Sequence, residues 1–261
     1  AEAVAGTENL AHYSQIAGES ALAKLAYDEA LRHFERALAV TPISSSEERV
    51  AALRFGSGLA RVALREHESA LGDLTAAFDA YMGAGNHERA VHVARTRFVG
   101  GEGRYGMVPI IQKALEVVEP GSTDEGWLQV YLGRGLAMAD PDTDHSLTAL
   151  RRALDIAREH NDEHLELLTF EGFSFVNMFQ NGPEITNEQM QRAVMLSDRI
   201  DDPVERATVY RSHGVELWTR GHGDLGRAAL EEAKVAAVRS GDRERSSSVH
   251  WVLMQACLWN G

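Results

Sequence analysis

One cysteine, Cys257, stands in a chain of 261 residues, so no internal disulfide framework can staple the fold and its stability must come from burial. Long apolar runs are missing as well. Uncharged stretches such as Gly172 to Pro183 fall short of the ~20 residues that a membrane-spanning helix needs, and no amino-terminal apolar segment resembles a signal peptide. Cations are outnumbered, with 26 Lys and Arg against 39 Asp and Glu for a net charge of −13. Direct nucleic-acid binding depends on cationic side chains displacing counterions from phosphates and is not expected of this segment. Proline occurs only six times, and no stretch alternates apolar and polar residues for long enough to make a strand. These absences leave the expectation of a soluble, cytoplasmic, all-α protein.

What is present is a repeat. Ala37, Ala77, Ala114, Ala153, Ala193 and Ala233 follow one another at intervals of 40, 37, 39, 40 and 40 residues. Three residues before each stands an apolar side chain, Phe34, Leu74, Ile111, Leu150, Met190 or Leu230, which places each pair on one face of a helix. One further step along that stripe come Ala30, Ala70, Met107, Ser146, Thr186 and Gly226, all small except Met107, and small residues let helices approach closely. Nineteen residues before each alanine stand Gly18, Gly58, Arg95, Arg134, Ser174 and Gly214, expected on the preceding helix where its partner crosses.

Turn residues recur about every twenty positions, from Pro42-Ile43-Ser44 and Gly83-Ala84-Gly85-Asn86 to Gly221-His222-Gly223 and Ser240-Gly241, and each interval fits one helix. Ser45 with Glu48 and Thr186 with Gln189 have capping-box spacing. In the first unit Gly18, Tyr27, Ala30, Phe34, Ala37 and Pro42 stand at the spacing of the tetratricopeptide family, which the chain resembles. The resemblance implies an α-α superhelix, a solenoid of about six helix pairs plus a final lone helix. As a single domain over residues 1–261, it divides into units 5–42, 46–83, 86–119, 123–160, 163–200 and 203–240, with a terminal helix at 243–259.

Four short patterns invite chemistry and have plainer readings. Gly101-Glu102-Gly103-Arg104-Tyr105-Gly106 has the spacing of a dinucleotide fingerprint but joins two helices, whereas the motif requires a strand before it. Asp140, Asp142 and Asp144 open like a calcium loop, yet His145 and Arg151 occupy the places where glycine and glutamate are needed, so the acidic turn is expected to cap a helix. His160 and His164 would share a helix face only if Asn161-Asp162 did not break the helix. Cys257 sits in a mostly apolar stretch, Trp251 to Trp259, which reads as packing. No catalytic residue, metal site or cofactor is expected, and the chain is read as a non-enzyme.

In tetratricopeptide-like arrays the first helix of each pair lines the concave face. Carried onto this chain, the resemblance implies a partner-binding groove of His12, Gln15, Phe55, Tyr131, Met138, Glu171, Phe175, Met178, Arg211 and Trp218. The partner is a protein or peptide, or a small-molecule effector. The alternative is that these side chains pack against neighbouring repeats. Residues 10–13 and 21–38 also resemble the helical region of large bacterial ATP-binding LuxR-type regulators and cyclase-linked signalling ATPases. A start at Ala1 without methionine and an unpaired last helix fit a piece of such a protein. The leading functional expectation is thus the effector- or partner-sensing part of a bacterial signalling or transcription regulator. A freestanding interaction scaffold comes second, and an enzyme with an unrecognised concave pocket third.

Overall fold

The structure, a computed structural model, describes residues 2–41, 46–98, 106–140, 142–180, 186–241 and 243–259. Among these it contains no strand and thirteen helices: α1 Glu2–Ala23, α2 Tyr27–Val40, α3 Glu47–Leu64, α4 His67–Gly83, α5 His87–Ala94, α6 Val108–Leu115, α7 Thr123–Ala139, α8 Thr143–His160, α9 Glu163–Gln180, α10 Asn187–Ile200, α11 Pro203–Thr219, α12 Gly223–Arg239 and α13 Arg243–Trp259. The expected all-α helical repeat forms. Residues 1–139, carrying α1–α7, and 140–261, carrying α8–α13, are two compact units. Within each, helices pack chiefly on their neighbours in sequence, as repeat arrays do. No helix among the described residues is long and apolar enough to cross a membrane.

The turns are built alike. Leu25, Arg65, Gly85, Asn161 and Gly221 all lie in the left-handed region, with φ of 59°, 67°, 71°, 53° and 86°. After each, the next residue's N–H donates to the carbonyl five positions back, closing the helix end: Ala26 to Ala21, Glu66 to Arg61, Asn86 to Tyr81, Asp162 to Ala157 and His222 to Leu217, at 2.8–2.9 Å. The chain then re-enters a helix at once. Asp162 also accepts from the Leu165 N–H at 2.9 Å, so Asn161-Asp162 does break the helix between His160 and His164. Asp142 caps α8, accepting from the Asp144 N–H at 3.0 Å, and Asp140 pairs with His145 at 2.8 Å, so the acidic turn serves as a cap. Thr186 and Gln189 form the full capping box. Ser45 lies outside the described residues, and α3 is capped by Ser46, whose Oγ accepts from the Arg49 N–H at 3.3 Å. Residues 101–105 of the glycine-rich segment are likewise outside them.

A large apolar side chain driven into a glycine notch sets the helix spacing. A Cβ on Gly18 of α1 would lie 2.9 Å from the Phe34 ring, and one on Gly56 of α3 would lie 2.4 Å from it, so the ring of α2 fills notches in both flanking helices. Leu74 occupies Gly58, Leu150 occupies Gly172, and Leu230 occupies Gly214, with hypothetical Cβ contacts of 2.9, 2.5 and 2.7 Å. The expected crossing positions Gly18, Gly58 and Gly214 therefore do sit beneath the partner helix. Gly56 and Gly172, which the alanine register does not single out, receive the same wedge from the opposite side. At Gly226 it is backbone that stands in the way: a Cβ there would meet the Gly214 carbonyl oxygen at 2.8 Å. Phe34, Leu74, Leu150 and Leu230 are all essentially buried.

The repeat degenerates where the glycines give out. α5 and α6 are only eight residues each, and Arg95, at the expected crossing position, caps α5. Its guanidinium lies 4.5 Å above the Trp127 ring and pairs with Asp124 at 3.0 Å. The core there is filled instead by Phe78, Phe98, Met107, Ile111 and Tyr131.

Two measurements test this account. Gly56→Ala should lower the urea-unfolding free energy by about 1–3 kcal/mol through overpacking against Phe34, despite its gain in helix propensity. Adding Phe34→Leu should return part of that loss, giving a favourable coupling; two strictly additive changes would show that the ring does not fill the notch. Leu25→Gly should stabilise the protein by about 0.5–1 kcal/mol, because a β-carbon at positive φ costs ~1–2 kcal/mol and glycine returns part of this as chain entropy.

Candidate partner-binding groove

Beside the buried Phe34–Gly56 contact lies a groove of about 430 Å³ in unit 1, bounded by α1, α3 and the turn from α4 into α5. Its floor is apolar, formed by Phe34, Ala52, Phe55, Gly56 and Leu59. The Phe55 ring is half-buried and meets the His92 ring edge-on, 5.3 Å between centroids.

The rim is polar and internally ordered. Gln15 Nε2 donates to Glu19 at 2.9 Å, and Asn86 Nδ2 donates to Glu48 at 2.8 Å. Arg49 Nη2 donates to the Glu8 carbonyl oxygen at 3.3 Å, and the Arg89 side chain hydrogen-bonds the Tyr81 phenol. Burial raises the Tyr81 pKa, with Arg89 pulling it back and the Glu48 charge adding to the rise. His92 is held below the ordinary histidine range by burial first and then by the charges of Arg95 and Arg89. Both groups therefore stay neutral at physiological pH. The groove can take an apolar side chain on its floor and fix a polar group at its rim.

Unit 2 holds a second cavity, of about 580 Å³, between α10, α11 and α12. Much of its polar lining is already committed. Tyr210 donates to Asp198 at 3.0 Å, Glu216 pairs with Arg220 at 2.9 Å, and Glu232 pairs with Arg206 at 3.2 Å. His213 Nδ1 is buried there without a hydrogen-bond partner among the described residues, and desolvation lowers its pKa.

Of the residues expected to form a groove, the structure brings Gln15 and Phe55 together in the unit 1 groove. His12 is exposed on α1 beside Tyr13. Tyr131 and Glu171 are buried, each 6% exposed, Tyr131 within the unit 1 core. Met138, Phe175 and Arg211 are half-buried and line neither cavity, and the Met178 side chain is outside the described residues. Trp218 is half-buried at the α11–α12 crossing, its Cβ 3.3 Å from where a Cβ on Gly226 would stand. The expected list omits Arg49, Tyr81, Asn86 and Arg89. One signal for the arginines was present: Ser46-Glu47-Glu48-Arg49 and Asn86-His87-Glu88-Arg89 repeat a cap and an arginine 40 residues apart.

No protein-family model matches the sequence, and no curated protein is significantly similar to it. Among solved structures, the Rap conjugation gene regulator of the plasmid pLS20 in complex with the Phr* peptide is similar over 90% of this chain and 76% of that chain, at 11% sequence identity and a TM-score of 0.42.

The buried His213 makes a prediction about acid stability. Its folded pKa lies below the ordinary value of 6.5, so as pH falls through that value the unfolded chain takes up a proton before the folded one does. Stability should decline from there until the folded pKa is passed. His213→Gln should flatten that part of the acid limb relative to wild type, read from urea midpoints at several pH values; parallel curves for the two proteins would refute the assignment.

Proposed function

We propose that this chain is a non-catalytic binding module whose unit 1 groove takes an extended peptide segment of a protein partner. The observation that carries the reading is the groove itself: an apolar floor of half-buried Phe55 and Leu59 above the buried Phe34, between first helices, with ordered polar groups on both sides. Burying an apolar anchor on such a floor supplies affinity, and the rim supplies orientation. The packing at Gly56 holds that floor in place without the partner, which lowers the ordering cost of binding. Among the described residues no group of three or more His, Cys, Asp or Glu is placed to hold a metal ion.

In the wider protein, this module is the sensing part of a bacterial signalling or transcription regulator. That context rests on the resemblance of residues 10–13 and 21–38 to the helical region of ATP-binding regulators.

The test is selection of a displayed random-decapeptide library on wild type and on Phe55→Glu, the variant first shown to keep its far-UV helicity. Peptides enriched on wild type should lose about tenfold or more in affinity for the variant, which corresponds to about 1.4 kcal/mol. If the enriched peptides bind both proteins alike, the groove is not the binding site.

A further inference from the structure

The cavity of unit 2 occupies a place that unit 1 fills with its own side chains. Gly58 of α3 and Ala77 of α4 have their repeat counterparts in Gly214 of α11 and Ala233 of α12, each 156 residues on. In unit 1 the Asp73 carboxylate accepts from the Ser57 hydroxyl at 2.7 Å and pairs with Arg54 and Arg61 at 2.9 and 3.2 Å, and Arg61 reaches Glu35 of α2 at 2.7 Å. This network ties α2, α3 and α4 together. The same shift along the chain carries Glu35, Arg54, Ser57, Arg61 and Asp73 onto Gln191, Tyr210, His213, Leu217 and Ala229. All five line the cavity of about 580 Å³ between α10, α11 and α12.

The exchange opens the space and leaves one polar group over. Leu217 and Ala229 supply neither the guanidinium nor the carboxylate of the unit 1 network, and the Tyr210 phenol turns instead to Asp198 at 3.0 Å. Ala229 stands where Asp73 holds Ser57, and His213 Nδ1 has no hydrogen-bond partner among the described residues. Because Nδ1 is closed off from solvent, a ligand meets the ring at Nε2, which donates or accepts according to the tautomer. Desolvation holds the His213 pKa below the ordinary histidine value, so the ring offers a neutral contact at physiological pH. The carboxylates and the guanidinium that line the cavity are already paired, Glu216 with Arg220 at 2.9 Å and Glu232 with Arg206 at 3.2 Å. An ion entering there would lose its hydration without meeting a free counter-charge. The remaining wall is apolar and includes Leu225, which is left 61% exposed and gains by being covered.

We infer that the unit 2 cavity binds an uncharged small molecule, its apolar body against Leu217, Leu225 and Ala229 and a hydroxyl or carboxamide group hydrogen-bonded to His213. Such a ligand takes the place that side chains fill in unit 1, and the volume suits a compact organic molecule. The site is separate from the unit 1 groove and uses another face of its first helix. Phe55 and Leu59 stand three residues before and one after Gly58, whereas Tyr210, His213 and Leu217 stand four before, one before and three after Gly214. Arg211 and Val215, the counterparts of Phe55 and Leu59, do not line the cavity. The two sites therefore stand or fall independently.

The test is ligand-observed fluorine NMR on the full chain with matched fluorinated probes: benzamides and benzyl alcohols, the corresponding benzoates and benzylamines, and toluenes that carry no polar group. Benzamides or benzyl alcohols should bind, and more tightly than the charged probes or the toluenes. In His213→Phe, which keeps a ring but removes its nitrogens, their affinity should fall about threefold to tenfold, the loss expected of one neutral hydrogen bond, while the toluenes should bind no more weakly than to wild type. Ala229→Leu, which fills the cavity, should abolish binding of all of them. Both variants are first matched to wild type in far-UV helicity, and His213→Phe decides the matter if Ala229→Leu does not fold. No binding by any probe, or benzamide and alcohol binding that is the same in wild type and the folded variants, would overturn the site. Benzoates or benzylamines that bind more tightly than the neutral probes would overturn the ligand class.

Discussion

A buried side chain of one helix pressed into the notch left by a glycine on its neighbour is the contact on which this structure depends. Ridge-into-groove packing ordinarily holds helix axes about 8–10 Å apart, and removing a Cβ at the crossing lets a ring or a branched chain fill the space with close contacts. Phe34 does this twice, into Gly18 and Gly56, while Leu74, Leu150 and Leu230 each do it at Gly58, Gly172 and Gly214. Interiors packed at this density have no slack, so the wedge fixes separation and rotation together. Because each wedge touches only the helices beside it, stability in each unit is assembled from neighbour to neighbour.

The same contact makes the site. A side chain at position 56 would collide with the Phe34 ring. With glycine there, the buried ring locks α2 between α1 and α3 and lies beneath the groove floor that Phe55 and Leu59 complete. The capped starts of α3 and α5 bring a third-position arginine to that surface from each helix. Packing and recognition thus share residues, and a change at position 56 would alter both.

Charge is distributed in two ways. Across the helices, ion pairs join elements distant in sequence, such as Arg61 with Glu35, Arg192 with Glu166 and Arg239 with Asp201. The Arg239–Asp201 pair is solvent-accessible on both sides and contributes little to stability, whereas Arg61 and Glu166 are the more buried members of theirs. In the unit 1 groove the acids are matched by amides and the arginines by neutral acceptors.

The alanine and wedge positions, the turn residues and the capping box at Thr186 were legible in the sequence because they follow from local periodicity and backbone geometry. They determined an all-α repeat with a last helix at Arg243–Trp259. The left-handed turns at Leu25 and Arg65 were not legible, since neither residue announces positive φ. The groove was legible only in part. Gln15 and Phe55 lay on the expected face, but Tyr131 is drawn into the core where the repeat loses its glycines, and Glu171 is also buried. Periodicity ranks a residue by its place on its own helix. Which arginines remain unpaired, and which faces stay open, depends on side chains that meet from helices tens of residues apart, and only the tertiary packing decides that.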